Sequence, residues 1–266
     1  MSRLDGSYDR RESLRRGVYL LPNLVTTGSL FAGFYGIVAT MNGKYDLAAW
    51  FILISAIFDT LDGKIARLTG TTSRFGVEYD SLADLVAFGV APGLLMYSWA
   101  LQPFGKFGWL AAFLYVVCGA LRLARFNVQV NTVESRRFVG LPIPAAAGMV
   151  ASCVLLFYYL GGSGNIKKVS ILLLIYLLAY LMVSNHSYNA FKDPELVKRQ
   201  PFGFLVLAII VIIVIVAQPE IMLFSMASVY TVSGPLTTLL KYFRGKTREP
   251  EHPDGNPPGG QDSDEL

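Results

Sequence analysis

Apolar residues in this chain fall into long unbroken runs rather than into the alternation of a strand or the single stripe of a surface helix. A helix needs about 20 apolar residues to cross the hydrocarbon core of a bilayer. Eight runs approach that length, at 19–41, 46–68, 78–101, 107–126, 143–161, 168–187, 201–218 and 220–242. The seventh, FGFLVLAIIVIIVIVA, is the most uniform, whereas Pro235 and several Ser and Thr interrupt the eighth. Only Gln218 and Pro219 separate these two, which predicts a tight hairpin. The second and third runs carry carboxylates at the ends that meet across the short connection 69–77. The pattern predicts an all-α membrane protein of about eight transmembrane helices.

The basic residues sort by side. With eight spans, 19 of the 23 Lys and Arg fall on the face that holds both termini, and Lys44, Lys106, Lys167 and Lys168 fall on the other. The positive-inside rule then places both termini in the cytoplasm, as in a bacterial inner-membrane protein. The same sorting explains the formal charge of +4 without nucleic acid as a partner.

Composition agrees. Hydrophobic residues make up 53% of the 266, charged residues 16%, and mean hydropathy is +0.45. The first sixteen residues hold eight charges and the last twenty-four hold nine, which leaves 25 for residues 17–242. Such a stretch lacks the polar surface of a soluble domain, and disorder or a secreted disulfide scaffold fits no better. Cys118 and Cys153 stand in apolar runs and read as small buried hydrophobes.

Three regions follow. Residues 1–18 form a basic cytoplasmic segment, either an interfacial helix drawn to anionic lipid or a solvated topology signal. Residues 19–242 form the transmembrane catalytic domain. Residues 243–266, rich in Pro, Gly and charge, form a disordered cytoplasmic tail. No loop is long enough for a soluble domain, so an active site must be built from helix ends. Gly28, Ala32 and Gly36 put small residues on one face of the first helix, where another helix can approach closely.

The acidic residues carry the chemistry. Residues 17–242 contain ten, and five of them (Asp59, Asp62, Glu78, Asp80 and Asp84) lie between positions 59 and 84. Asp59 and Asp62 are three apart and share a face at the end of the second helix. Asp80 and Asp84 are four apart and share a face at the start of the third. Antiparallel neighbours joined by a short loop bring the two pairs together. Four carboxylates in one volume repel, and one or two hard divalent cations relieve them: Mg²⁺ or Mn²⁺, with Ca²⁺ also compatible with oxygen ligands. Gly63 and Gly76 allow close approach of a ligand, Ala66 is small, Arg67 is a phosphate-binding fork, and Ser73 with Thr71 and Thr72 offers hydroxyls.

Together, residues 59–84 read DTLDGKIARLTGTTSRFGVEYDSLAD and match D-x2-D-G-x2-A-R-x8-G-x3-D-x3-D at all eight fixed positions. This resembles the signature of the CDP-alcohol phosphatidyltransferases. The resemblance implies that Asp59, Asp62, Asp80 and Asp84 hold two metal ions, with Asp84 also the general base. It implies that Gly63, Arg67 and Ser73 bind the CDP moiety while Ala66 and Gly76 make room for it. Asn23 and Thr26, in PNLVT at the start of the first helix, resemble a further nucleotide contact, and they are equally ordinary helix-start residues.

LRLARFN at 121–127 and FVGLPIPAAAG at 138–148 resemble the branch of that family that uses serine, the integral-membrane phosphatidylserine synthases. Transfer of a phosphatidyl unit from CDP-diacylglycerol to L-serine, releasing CMP, is the activity this implies. Arg122, Arg125 and Asn127 are then candidates for the acceptor's carboxylate and ammonium; the arginines are alternatively topology signals or lipid-phosphate ligands. Another acceptor alcohol (glycerol phosphate, inositol phosphate or choline) is the alternative within the class, and an ion-coupled transporter the alternative outside it. The resemblance and the stripe on the first helix also suggest a homodimer.

Overall fold

The computed structural model describes residues 5–70, 73–130, 138–188 and 217–246. Helix α1 runs Asp5–Met41 and α2 runs Tyr45–Thr69. A single helical rod, α3, spans Arg74–Phe104, and α4 spans Lys106–Val130. After these come β1 (Phe138–Val139), α5 (Ile143–Tyr159), α6 (Val169–Val183), β2 (Ser187–Tyr188) and α7 (Pro219–Lys246). The described fold is thus helical, save one antiparallel ladder of two residues per strand that ties the chain before α5 to the chain after α6.

Among the described residues, three helical stretches are long and apolar enough to cross a membrane: Leu21–Met41, Arg74–Phe104 and Lys106–Val128. Helices α5 and α6 are shorter and also apolar. Helix α2 is not among the three, since it carries Asp46 in its first turn and Asp59, Asp62, Lys64 and Arg67 in its last three turns. Phe31, Phe34, Phe113, Leu173 and Tyr180 are exposed, as side chains facing lipid would be. Of the predicted run 201–218, all but the last two residues lie outside the described residues, as do Thr71, Thr72 and the tail beyond Lys246.

Two expected boundaries shift. Helix α1 passes through position 18 and through Pro22 without a break, so the basic opening segment is helical from Asp5 and continuous with the first span. Helix α7 runs through Pro235 to Lys246, four residues beyond the predicted end of that span.

The α1–α2 pair is built for close approach. Buried Ser29 and Ser55 bond reciprocally: each hydroxyl donates to the other's backbone carbonyl, at 3.2 and 2.9 Å, and the two hydroxyls lie 2.8 Å apart. Polar side chains in an apolar interior satisfy themselves in this way because no water is there to do so. A Cβ at Gly28 would lie 3.2 Å from the Phe58 ring, and one at Gly36 3.4 Å from the Ala48 carbonyl; Ala32 between them is buried. The small-residue stripe is therefore covered by α2 of the same chain, which removes it as an argument for a second copy. Gly33, on the adjacent face, meets α3, where an added Cβ would come within 2.6 Å of Ala87 Cα.

Beyond this pair, α4 packs on α6, α5 packs on α2 and α7, and the centre is filled by Phe88, Leu95, Trp99, Tyr115, Ile143 and Leu178. Rod α3 changes pitch as it enters this core. It is α-helical to Asp84, widens into π turns over Leu85–Val90, returns to α, and widens again at Tyr97–Leu101. A π turn leaves carbonyls displaced from the usual ladder. Buried Tyr115 of α4 donates its hydroxyl to one of them, Phe88, at 3.1 Å.

Candidate active site

The site forms where α2 ends and α3 begins, with the middle of α1 behind it. Helix α2 stops at Gly70, whose φ of 63° is the left-handed conformation that favours glycine, and whose N–H returns to the Ala66 carbonyl. Three residues later Ser73 caps α3, its hydroxyl accepting from the Gly76 N–H at 2.9 Å. Both carboxylate-bearing helix ends pack on α1, and their acidic side chains meet here.

A cleft opens here, with about 570 Å³ of free space including that open to solvent, lined by Pro22, Asn23, Thr26, Asp62, Gly63, Ala66, Arg67, Ser73, Gly76, Val77 and Asp80. Every residue that the resemblance assigns to the CDP moiety lies on its wall, Asn23 and Thr26 of α1 among them. Pro22 and Val77 join them without having been signalled, since an apolar side chain carries no chemical mark in the sequence.

The individual roles differ from a uniform ligand cradle. A Cβ added to Gly63 would find only an Arg67 guanidinium nitrogen, at 3.9 Å, so the space over Gly63 belongs to the cavity. Gly76 is different: a Cβ there would press on Ser73 Oγ at 3.1 Å and Asn23 Oδ1 at 3.3 Å. Gly76 makes room for the protein's own cap and for α1. Arg67 is exposed and folds back along its helix, its Nε donating to the Gly63 carbonyl at 2.8 Å. The Thr26 hydroxyl donates to the Pro22 carbonyl at 3.1 Å, beside Asp62. Thr27, one residue on, shares a 3.0 Å hydrogen bond with Tyr79, which ties α1 to the first turns of α3.

The carboxylates converge as expected. Ligand oxygens of Asp59, Asp62 and Asp80 all lie within 4.8 Å of one another. Asp84 sits one turn deeper on α3, against Asp59 and within reach of the charges of Asp80 and Asp62. Asp62 and Asp80 face the cavity; Asp59 and Asp84 are not on its wall and form the inner side of the cluster. Asp62 is only 4% exposed. Two full charges about 4.8 Å apart repel by roughly 3.5 kcal/mol at an effective dielectric of about 20. Asp62 Oδ2 and Asp84 Oδ1 are buried and have no hydrogen-bond partner among the described residues. Oxygen donors so close together, with unmet lone pairs, fit a hard divalent cation better than they fit any protein partner in view.

The candidate acceptor residues part company. Arg122 on α4 is half-buried, with its Nε unpartnered among the described residues, and its guanidinium lies within the electrostatic reach of Asp84 and of Tyr230 on α7. Arg125 is exposed and donates to Asn185 Oδ1 at 3.2 Å. The Asn127 amide donates to Ser81 Oγ at 2.9 Å. Only Arg122 is thus directed at the acidic cluster, although residues 122 and 125 share a helical face on paper. Tyr230 had no signal in the sequence, because more than a hundred residues separate it from Arg122.

Comparisons with known proteins agree with this geometry. A CDP-diacylglycerol–serine O-phosphatidyltransferase of Helicobacter pylori (strain 26695) is 48% identical over 178 residues, 66% of this chain and 74% of that protein. A protein of the same name from Methanocaldococcus jannaschii is 34% identical over 211 residues, 79% of this chain and 89% of that one. An archaetidylserine synthase of Methanothermobacter thermautotrophicus is 37% identical over 170 residues, 63% of this chain and 69% of that one. The match to the family itself runs from residue 19 to residue 235, taking in the carboxylate cluster, the cavity wall, Arg122 and Tyr230. By that match this chain belongs to the CDP-alcohol phosphatidyltransferase family.

Proposed function

We propose that this chain transfers the phosphatidyl group of CDP-diacylglycerol to the hydroxyl of L-serine, giving a phosphatidylserine and CMP. The observation that carries the reading is the meeting, at one place, of a cavity, four converging aspartates and a half-buried arginine whose Nε has no hydrogen-bond partner among the described residues. The relatives named for serine transfer, at up to 48% identity, support serine over other alcohols.

In this reading the CDP moiety occupies the cavity between α1, α2 and α3. Gly63 and Ala66 leave the wall bare, Arg67 faces the phosphates, and the α3 amino end adds the positive pole of its dipole. Asp59, Asp62 and Asp80, with Asp84 beside them, would hold two divalent cations, Mg²⁺ or Mn²⁺, whose charge would offset that of the diphosphate and of departing CMP. Asp84 takes the proton of the serine hydroxyl. The freed oxygen forms a bond to the β-phosphorus as the bond from that phosphorus to the CMP oxygen breaks, and CMP leaves with the electron pair. Arg122 holds the serine carboxylate on the inner side of the cluster, opposite the nucleotide; Arg125 and Asn127 border its cytoplasmic edge. Ordering both reactants around the aspartates is the main contribution a protein makes to such a displacement.

The proposal extends to the setting. The chain makes eight spans in an inner membrane, both termini and the active site face the cytoplasm, residues 19–242 form the catalytic domain, residues 243–266 form a cytoplasmic tail, and the enzyme works as a homodimer. The uneven distribution of Lys and Arg supports the orientation.

The deciding experiment supplies purified protein with CDP-diacylglycerol, Mg²⁺ or Mn²⁺, and a panel of alcohols. CMP release that requires serine is expected. Release that requires a different alcohol would replace the acceptor, and serine flux into vesicles without CMP would replace catalysis by transport. Asp84→Asn should lower turnover by at least about a hundredfold with an unchanged melting temperature. Full activity in that variant would remove Asp84 as the base.

A further inference from the structure

Arg122 does not stand alone on the inner side of the aspartate cluster. Its Nε is buried and unpartnered among the described residues, and its charge interacts with that of Tyr230, at the middle of α7. The position of Tyr230 is set by a clamp. Its ring lies tilted on that of Tyr188, with centroids 5.6 Å apart. Tyr188 is almost fully buried, and its hydroxyl donates to the Thr231 carbonyl at 3.2 Å. Gly234, one turn further along α7, lies flat against the same Tyr188 ring, where no Cβ would fit. Tyr188 in turn belongs to β2, paired with β1. The β2 segment that follows α6, itself paired with β1, therefore grips α7 at the level of Tyr230. Among the described residues no hydrogen bond is found for the Tyr230 hydroxyl, and none for the Arg122 Nε.

We propose that Tyr230 is a specificity-determining residue of the acceptor site, its phenol hydroxyl and the Arg122 guanidinium converging on one carboxylate, that of the incoming amino-acid alcohol. A carboxylate offers lone pairs for both donors, and a half-buried arginine beside an acidic cluster needs a mobile anion more than a fixed one. Tyrosine adds a donor without adding charge, so the site gains selectivity for a carboxylate while Arg122 alone balances its charge. The last helix then does more than close the bundle: it completes the pocket that tells serine from an alcohol lacking the carboxylate. This assignment rests on the serine reading above.

Tyr230→Phe keeps the ring on Tyr188 and removes only the hydroxyl. The KM for serine is expected to rise by about tenfold or more, the scale of a lost hydrogen bond to a charged group, while the KM for CDP-diacylglycerol and the melting temperature stay put. The preference for L-serine over its methyl ester, in turnover or in inhibition, should shrink in the same variant. Tyr188→Phe provides the structural comparison: it loosens α7 and lowers the melting temperature but leaves the serine KM near that of the unmodified protein. An unchanged serine KM in Tyr230→Phe, an equal rise for both substrates, or the same serine effect in Tyr188→Phe would overturn the proposal. Serine-dependent CMP release that Tyr230→Phe leaves untouched sinks this inference alone; absence of that release from the unmodified chain sinks the serine reading with it.

Discussion

Gly63 and Gly76 are both fixed positions of one motif, yet the structure gives them different work. Gly63 borders empty cavity, so Gly63→Ala should fold normally and even gain helix propensity, by up to about 1 kcal/mol. Its methyl group would stand where the nucleotide is placed, so the KM for CDP-diacylglycerol should rise severalfold with no loss of melting temperature. Gly76→Ala should do the reverse in part. Its methyl group would press on Ser73 and Asn23, disturbing an N-cap worth about 1 kcal/mol, so a thermal melt should show the damage first. The same contrast shows what a motif can and cannot tell. Spacing alone put Asp59, Asp62, Asp80 and Asp84 on facing helix ends, because three- and four-residue intervals have one geometry on a helix. It could not say which glycine faces ligand and which faces protein. Nor could it separate Arg122 from Arg125, because the difference lies in which neighbouring helix each meets.

At the scale of the elements, the α1–α2 clasp and the α1–α3 contact hold the cavity wall in place. Ser29 and Ser55 satisfy each other, so removing one leaves the other's hydroxyl in an apolar interior. Ser55→Ala should cost about 1 kcal/mol, measured as lowered thermal stability in detergent, and Ser29→Ala together with Ser55→Ala should cost less than twice that. The apolar helices were legible because about twenty apolar residues in a row have few other fates. The π turns of α3, the two-residue ladder and the uninterrupted run of α1 through position 18 were not. Each depends on tertiary partners: Tyr115 for the displaced carbonyl at Phe88, and the paired segments 138–139 and 187–188 for the ladder. Pro22 is a further case, since a helix breaker by propensity is carried within a long helix.

For the whole molecule, electrostatics and topology make the testable statements. Four aspartates around one point are stable together only when their charge is balanced. Chelation of divalent ions should abolish CMP release, and adding back Mn²⁺ or Mg²⁺ should restore it. A neutral variant such as Asp59→Asn should need higher metal concentrations for the same rate, read from a metal titration at fixed substrate. The helical character of the fold and the meeting of the carboxylates were both present in the sequence because they rest on local features, apolar run length and short-range spacing. What lay beyond its reach was assembly at long range: Arg122 of α4 lies within the electrostatic reach of both Asp84 on α3 and Tyr230 on α7.

The wide turns at Leu85–Val90 begin at the residue after Asp84. Such turns hold more residues per revolution than the α-helix on either side, which gives the rod a reserve of slack directly below its acidic end. Loss of one residue there can be absorbed by tightening to an ordinary pitch, whereas the same loss between Asp80 and Asp84 would swing one carboxylate about a quarter of a revolution away from the other. Rod α3 thus has a rigid upper section, where angular phase is everything, above a lower section that tolerates insertion and deletion.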